Sequence, residues 1–285
     1  MSELLSLSNA VAALTAEAGR RTVAIRGPDG RTISGFIWST GLAVTAHEAL
    51  DAEDEAEVLL PGGTAITAQV AGRDPSTDVA LLKLATEAFD PWAEAAAPAV
   101  GSLAVLVGRA EDSVLSWFTS VSEVGPAWRS MRGGAIDARL TLGIRLSSRA
   151  EGGAVVAPDG TLVGMAVNGV RRRTLVIPAA TIARAVATLS EKGYVPRRWL
   201  GVSLHPVGQG GGAIVVGLEP ESPAAAGGFL VGDIITTWNG EPVGSVGDVA
   251  DRLSTGTVGQ SVSLGVLRGG NALELDIAIG ERPRG

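Results

Sequence analysis

The chain has 285 residues, of which 46% are hydrophobic and 19% are charged, and it contains 39 glycines. This length predicts two folded domains, and the composition is that of a folded, turn-rich protein rather than a disordered one. A net charge of −7 with no long basic stretch argues against nucleic acid and against an anionic membrane surface as partners. Cysteine is absent from the sequence, which excludes disulfides and thiolate metal sites.

Residues 1–20 predict an amphipathic helix that ends at Gly19. Apolar residues recur at helical spacing: Leu4, Leu7, Val11 and Leu14. The first charged residue is Glu3, and polar residues interrupt the apolar ones, a pattern that differs from a secretory signal. No apolar run approaches the roughly 20 residues that span a bilayer. These features predict a cytoplasmic location, with the periplasm as the alternative.

Short strand-like segments follow between residues 21 and 193. The first set comprises Thr22–Arg26, Thr32–Trp38, Leu42–Thr45, Ala56–Leu60, Ala65–Ala71 and Val79–Leu84. An Ala- and Pro-rich connector, Ala85–Val100, precedes a second set that runs from Leu103 to about Val176. Many short strands separated by Gly, Pro and Asp turns predict a β-barrel or β-sandwich.

A helix is predicted at Pro178–Lys192, with Gly193 at its end. Residues 194–198 contain Pro196 and are interpreted as a linker. Short strands resume at Trp199, with a helix at Ser245–Leu253. We therefore expect a helix over residues 1–20, a β domain over 21–193 and a second domain over 199–285.

Several blocks of sequence occur in an informative order. They are Ser34-Gly35-Phe36-Ile37, Val44–Leu50, Asp74–Lys83, Arg149–Val155 and Pro158–Gly164. In this order they resemble the trypsin-like HtrA/Deg family of serine proteases. The resemblance continues into Trp199-Leu200-Gly201-Val202, which is similar to the start of that family's PDZ domain. It implies a mostly β fold: a chymotrypsin-like double β-barrel followed by a PDZ domain, with the helix at the N-terminus.

The resemblance also implies a His, Asp and Ser triad, and the chain departs from it. The family Asp matches Asp78. The family Ser, directly before a Gly-Gly pair, is replaced by Glu151, and the oxyanion-hole Gly two residues earlier is replaced by Arg149. The position of the family His is occupied by Glu48, with His47 one residue early.

These replacements change the chemistry. A glutamate cannot form the usual serine acyl-enzyme, and Arg149 does not have the freedom of glycine in a tight turn. A shift of one residue along a strand reverses the side-chain direction, so His47 is predicted to point away from the cleft unless a bulge restores it. Ser147 and Ser148 lie too far upstream to replace the nucleophile. The sequence therefore predicts a pseudoprotease with no intact triad.

Two alternatives stay open: a working serine endopeptidase with its site elsewhere, and a different enzyme that uses the carboxylates of Glu48, Asp78 and Glu151. Three carboxylates in one cleft would raise at least one pKa or attract a hard cation. The stronger expectation is structural: an ion pair of Glu151 with Arg149, and neutralisation of the cleft by three arginines of a nearby loop, Arg171, Arg172 and Arg173. We predict neither a metal site nor a cofactor.

The resemblance to PDZ domains implies that the second domain binds the C-termini of proteins or peptides as an added strand. The residues implied are Trp199, Leu200, Gly201 and Val202 at the carboxylate, Val202 to Leu204 as the receiving strand, and Val249 and Leu253 at the side-chain pocket. His205 is expected on a strand facing solvent. Further candidate partners are an active HtrA-type relative and other copies of the chain, in a scaffold or regulatory role in protein quality control.

Overall fold

The computed structural model describes residues 2–86, 89–169, 173–208 and 211–283. The chain divides into two compact units, residues 1–195 and 196–285. The predicted linker, residues 194–198, spans this division. No helix among the described residues has the length and apolar character to cross a membrane.

The first unit begins with helix α1 (Glu3–Gly19), where the side chain of Ser2 accepts a hydrogen bond from the amide of Leu5. This confirms the predicted N-terminal helix. Of the apolar residues that the pattern placed on one face of α1, only those in the second half of the helix pack against the core. Val11 and Leu14 contact the core, but Leu4 is 79% exposed and Leu7 43% exposed, because α1 meets the second barrel toward its C-terminal end.

Six strands close into the first barrel in the order β1-β2-β3-β6-β5-β4. They are β1 (Thr22–Arg26), β2 (Thr32–Ser39), β3 (Leu42–Ala46), β4 (Glu55–Leu59), β5 (Ala65–Asp74) and β6 (Val79–Lys83).

A second closed barrel has the order β11-β14-β13-β12-β7-β8, and a short hairpin, β9–β10, projects from it. The strands are β7 (Leu103–Ala110), β8 (Ser113–Gly125), β9 (Trp128–Arg129), β10 (Ala135–Ile136), β11 (Arg139–Leu142), β12 (Ala154–Val156), β13 (Leu162–Asn168) and β14 (Thr174–Pro178). A 3-10 turn, η1 (Ser148–Ala150), precedes β12, and helix α2 (Ala179–Lys192) follows β14. Gly193 ends α2 with φ +75°.

The continuous apolar runs of these strands reflect burial on both faces. Successive side chains of a strand point to opposite sides. On β6, Ala80 and Leu82 fill the interior of the first barrel, whereas Val79 and Leu81 join a core shared by both barrels and α2. This shared core fixes the cleft between the barrels, where β3 ends and where η1 begins.

The second unit contains a sheet in the order β16-β17-β18-β20-β21, with β19 paired to β18. Its elements are β15 (Arg198–Trp199), β16 (Val202–Pro206), β17 (Ala213–Leu218), α3 (Pro223–Ala226), β18 (Ile234–Trp238), β19 (Glu241–Pro242), α4 (Val246–Thr255), β20 (Ser261–Arg268), β21 (Asn271–Ala278) and β22 (Gly280–Glu281). A capping box formed by Ser245 and Asp248 begins α4. The mostly β fold with two six-stranded barrels and a further sheet domain agrees with the predicted fold class.

Candidate functional site

The structure brings Glu48, Asp78 and Glu151 to one cleft. Glu48 follows the end of β3, Asp78 precedes β6, and Glu151 follows η1. The amide of Glu48 donates to Oδ1 of Asp78 at 2.7 Å. The charges of Glu48 and Glu151 both act on Asp78, so the three carboxylates form one electrostatic group.

Asp78 has an unusual backbone and an unusual acidity. Its φ is +59°, a left-handed conformation that few residues other than glycine adopt. Burial raises its pKa to about 7, and the charges of Glu48 and Glu151 act in the same direction. The amide of Glu48 and the charge of Arg132 oppose this effect without cancelling it. Asp78 therefore changes its charge near neutral pH.

His47 is bonded differently from the histidine of a catalytic triad. Its amide donates to the backbone carbonyl of Asp78 at 3.2 Å. Its ring Nδ1 lies 3.2 Å from Nη1 of Arg73. A guanidinium only donates hydrogen bonds, so Nδ1 of His47 must be the acceptor. A triad histidine instead donates from Nδ1 to the carboxylate. Burial lowers the pKa of His47, and Arg73 and Arg132 lower it further.

Glu151 is held by Asn168, at the end of β13. Its Oε2 accepts from Nδ2 of Asn168 at 2.6 Å, and its Oε1 accepts from the Asn168 amide at 3.3 Å. Burial raises the pKa of Glu151, and these two donors oppose the rise. The expected ion pair with Arg149 does not form in the described part of the chain, because the carboxylate turns toward β13 and the Arg149 side chain is exposed.

The backbone amides around Glu151 donate hydrogen bonds to carbonyl groups of this chain. The amide of Ala150 donates to Ser147 O at 2.8 Å, and that of Glu151 donates to Ser148 O at 3.4 Å. The amides of the two following glycines donate to Ala166 O and to Ala150 O. An oxyanion hole requires amides that point at the reacting carbonyl. In this conformation all four amides therefore donate to carbonyl groups within the chain.

Gly152 is required by the same loop. Its φ is +83°, and a Cβ at this position would collide with the carbonyl oxygen of Ser34. The Ser34 amide in turn donates to Glu151 O at 2.9 Å, and its hydroxyl donates to Arg149 O at 2.5 Å. Strand β2 therefore holds the loop in place.

The β9–β10 hairpin adds a cation that the sequence did not reveal. Nη2 of Arg132 lies 3.3 Å from Oε1 of Glu48. The hydroxyl of Ser130 donates to Ser76 O at 2.6 Å and fixes the hairpin beside the Asp78 turn. The carboxylate of Glu48 is therefore exposed and has an ion-pair partner from the hairpin of the second barrel.

Of the three arginines predicted to neutralise the cleft, Arg173 is among the described residues. Arg171 and Arg172 lie outside the described residues. Arg173 pairs with Glu123 at 3.4 Å. Among the residues that the structure describes, no group of three histidine or acidic side chains is arranged to hold a metal ion.

The predicted peptide groove of the second unit lies beside β16. This strand is at the edge of its sheet, and α4 contacts it. Val202, Leu204 and Leu253 are half-buried against the core of this unit. Val249, at 2% exposure, is part of that core and presents little surface to a ligand.

The turn before β16 depends on glycine. Gly201 has φ +79°, and a Cβ there would collide with Ser222. Leu200 is buried at 3% exposure, and Nε1 of Trp199 donates to Glu219 at 3.4 Å. His205 is exposed on β16.

Two family models match the units described above. The model described as "Trypsin-like peptidase domain" matches residues 33–165, and the model described as "PDZ domain" matches residues 199–279. The chain therefore combines a match to a trypsin-like peptidase domain with a match to a PDZ domain. The solved structure "HtrA-type protease AlgW with decapeptide" superposes with a TM-score of 0.79 at 22% identity, covering 96% of this chain and 99% of that chain. A serine endoprotease from Yersinia pestis also gives a TM-score of 0.79, at 22% identity, covering 95% of this chain and 97% of that one.

Curated proteins similar to this chain are named "Probable periplasmic serine endoprotease DegP-like". The protein from Bartonella henselae is 28% identical over 276 residues, covering 87% of this chain and 52% of that protein. The protein from Brucella suis is 28% identical over 279 residues, covering 88% and 52%. The chain thus spans about half the length of the curated relatives it matches.

These names correct the predicted location. The relatives are periplasmic by name, whereas the sequence pattern suggested the cytoplasm. The prediction had relied on the pattern of residues 1–20, and the lack of cysteine is compatible with either redox compartment.

Proposed function

We propose that this HtrA-like chain is proteolytically inactive and acts as a peptide- and protein-binding scaffold or regulator through its PDZ domain and its former active-site cleft. The observation that carries the proposal is Glu151. A carboxylate, bonded to Asn168, stands directly before Gly152-Gly153, where the resemblance to the family requires a serine hydroxyl. Amide hydrolysis by the family mechanism begins with that hydroxyl.

The neighbouring groups support the proposal. His47 accepts from Arg73 through the nitrogen that a triad uses to contact its aspartate. The amides of Ala150 and Glu151 bond to the η1 turn. Nucleophile, base and oxyanion donors are thus altered together, and restoring one of them leaves the other two unavailable.

The edge strand β16 supports the binding part of the proposal. An edge strand presents backbone groups that can pair with an added peptide strand. A solved HtrA-type protease with the same fold is described as carrying a decapeptide. We infer protein or peptide C-termini as the ligands in the periplasm, with an active HtrA-type relative and other copies of this chain as candidate partners.

A serine endopeptidase is the competing function, and the names of the curated relatives favour it. It requires a serine outside the family position, of which Ser148 in η1 is the nearest exposed candidate. An unrelated acid/base activity is the third candidate, favoured by the raised pKa of Asp78, at about 7.

The test is casein cleavage by the purified chain beside the variants Glu151→Ser and Ser148→Ala. We expect no cleavage by the wild-type chain or by Glu151→Ser, because His47 and the loop amides remain committed elsewhere. Cleavage by the wild-type chain that survives repurification and disappears in Ser148→Ala would establish the endopeptidase and overturn the proposal.

A further inference from the structure

Two Asn-Gly pairs occur in the chain, Asn168-Gly169 and Asn239-Gly240. In such a pair the backbone nitrogen of the glycine can attack the side-chain carbonyl carbon of the asparagine, because glycine has no Cβ to obstruct the approach. The attack forms a five-membered imide ring and releases ammonia, and water then opens the ring to aspartate or isoaspartate. The reaction needs a glycine nitrogen that no hydrogen bond holds in place, so the fold determines which pair reacts.

Asn239 and Gly240 form the exposed two-residue turn between β18 and β19. Their φ values are +49° and +81°, the left-handed conformation that the common two-residue hairpin turn requires at both positions. The Gly240 amide donates to no group among the residues that the structure describes. The nucleophile of the reaction is therefore free in the folded chain.

The side chain of Asn239 is held in a way that favours the attack. Its Oδ1 accepts a hydrogen bond from the Ser263 amide at 2.8 Å, and the Asn239 amide donates to Ser263 O at 2.7 Å. Attack on the side-chain carbonyl carbon places negative charge on Oδ1. A backbone N–H at this distance stabilises such an oxyanion, as it does in hydrolytic enzymes. The Ser263 amide therefore lowers the barrier to ring formation.

The other Asn-Gly pair is protected by its surroundings. The Gly169 amide donates to Arg173 O at 2.8 Å, and strand pairing places Asn168 opposite Thr174. The Asn168 side chain donates from Nδ2 to Glu151 at 2.6 Å. A bonded amide proton is harder to remove, and these contacts keep the glycine nitrogen and the asparagine carbonyl carbon apart. We therefore expect Asn168 to react slowly in the folded chain.

The turn at Asn239 also supports helix α4. The guanidinium of Arg252, on α4, donates to three carbonyl oxygens that flank this turn: Trp238 O at 3.3 Å, Glu241 O at 2.8 Å and Pro242 O at 2.8 Å. Hydrogen bonds from a charged donor are stronger than those between neutral groups. Isoaspartate carries the main chain through its side-chain methylene, so it lengthens the turn and displaces these carbonyl groups.

We propose that Asn239 is a self-modification site: the Gly240 nitrogen displaces the side-chain amide, and the isoaspartate that forms weakens the attachment of α4 through Arg252. The bond between Gly240 N and Asn239 Cγ forms and the bond between Cγ and Nδ2 breaks. Nδ2 leaves as ammonia after gaining the proton that the Gly240 amide loses, and one water molecule opens the ring. The proposal goes beyond the proposed function and does not depend on it.

The experiment incubates the purified full chain at pH 8, in native buffer and in guanidinium chloride, and follows both asparagines by peptide mapping with mass spectrometry. In the denatured chain the two pairs should convert at similar rates, because their reacting groups are the same. In the folded chain we expect Asn239 to convert about tenfold faster than Asn168. Equal rates at the two sites of the folded chain, or no conversion of Asn239, overturn the inference.

A pair of variants identifies the nucleophile. Gly240→Ala should slow the conversion of Asn239 by about tenfold, because a Cβ obstructs the attack. Gly259→Ala is the matched control: both glycines have positive φ, nothing lies within 4 Å of an added Cβ, and both belong to the second unit. The control should not slow the conversion. An unchanged rate in Gly240→Ala overturns the role of the Gly240 nitrogen.

Hydrogen exchange tests the effect on α4. The modified chain carries one added negative charge, so ion exchange separates it from the unmodified chain, and peptide mapping measures its isoaspartate content. The α4 amides of the isoaspartate form should exchange about tenfold faster than those of the unmodified chain. Asn239→Asp is the control, since it keeps the main-chain length and an acceptor for the Ser263 amide, and its α4 should exchange as in wild type. Unchanged exchange of α4 in the isoaspartate form overturns the effect on this helix.

Discussion

The cleft between the barrels and the groove beside β16 differ in what their polar groups contact. In the cleft, His47 contacts Arg73, Glu48 pairs with Arg132, and Glu151 bonds to Asn168. In the groove, β16 pairs on one side with β17, and its other edge has no strand partner among the described residues. The polar side chains of the cleft are bonded within the chain, whereas the groove has a strand edge that can pair with an added strand.

This difference shows that the packing that positions a cleft and the chemistry of its side chains are distinct properties of one chain. The cleft keeps the packing that positions it, including Gly152 and the core shared by the two barrels. The polar groups of the cleft contact partners within the chain, because Arg73, Arg132 and Asn168 lie within reach of them. Fold therefore predicts where a site lies, and individual residues decide what the site does.

Two carboxyl groups, Asp78 in the cleft and Asp233 in the second unit, should respond to pH in opposite directions. The pKa of Asp78 is raised to about 7 in the folded chain, so the folded state binds its proton more tightly than the unfolded state. The stabilisation is complete below the unfolded pKa of 3.8 and declines as the pH rises toward 7, by up to about 4 kcal/mol in total. In the second unit, hydrogen bonds from Arg268 lower the pKa of Asp233, so its stabilisation is instead lost as the pH falls through that lowered pKa.

Urea denaturation of wild type, Asp78→Asn and Asp233→Asn from pH 4 to pH 8 measures these contributions. The wild-type free energy of unfolding minus that of Asp78→Asn should fall with rising pH over this range, whereas the corresponding difference for Asp233→Asn should stay constant, because its change lies below pH 4. A pH-independent difference for Asp78→Asn would contradict the assigned environment of that carboxylate.

The turn glycines of both regions should be intolerant of alanine. Gly152→Ala and Gly201→Ala each combine a positive φ with a collision, against Ser34 O and against Ser222. We expect each to lower the free energy of unfolding by about 3 kcal/mol or more. Gly30→Ala and Gly259→Ala are matched controls, because both glycines have positive φ and nothing within 4 Å of a Cβ. The controls should lose only about 1–2 kcal/mol. Equal losses of unfolding free energy in all four variants would show that the collisions at Gly152 and Gly201 add nothing to the cost of a positive φ.

Much of the fold could be predicted from the sequence, because strand patterns and turn glycines are local signals. The positions of Asp78 and Glu151 followed from motif order. The partners of the cleft carboxylates could not be predicted: Arg132, which pairs with Glu48, and Asn168, which bonds to Glu151, reach the cleft from distant parts of the chain, and no spacing marks them. The exposure of Leu4 was also missed, since periodicity identifies a helix face without showing how far its partner surface extends.

A smaller effect should distinguish the groove from the remaining surface of its unit. Leu253→Ala removes an apolar contact beside β16 and should weaken binding of acetylated, lysine-free nonapeptides with free C-termini by about tenfold. Leu273→Ala is the control, because Leu273 lies on β21 and is 41% exposed. It should leave the affinity within about twofold of wild type. If both variants bind as wild type does, the peptide does not use this groove.

The most direct test of the central claim is labelling of the wild-type chain with a fluorophosphonate, which reacts with an activated serine, followed by mass-spectrometric mapping. The measurement needs no knowledge of the substrate. With a glutamate before Gly152-Gly153 and His47 bonded to Arg73, the account predicts no labelled peptide. Stoichiometric labelling of a single serine, lost on heat denaturation of the chain, would show an activated nucleophile and would contradict the claim that the cleft is proteolytically inactive.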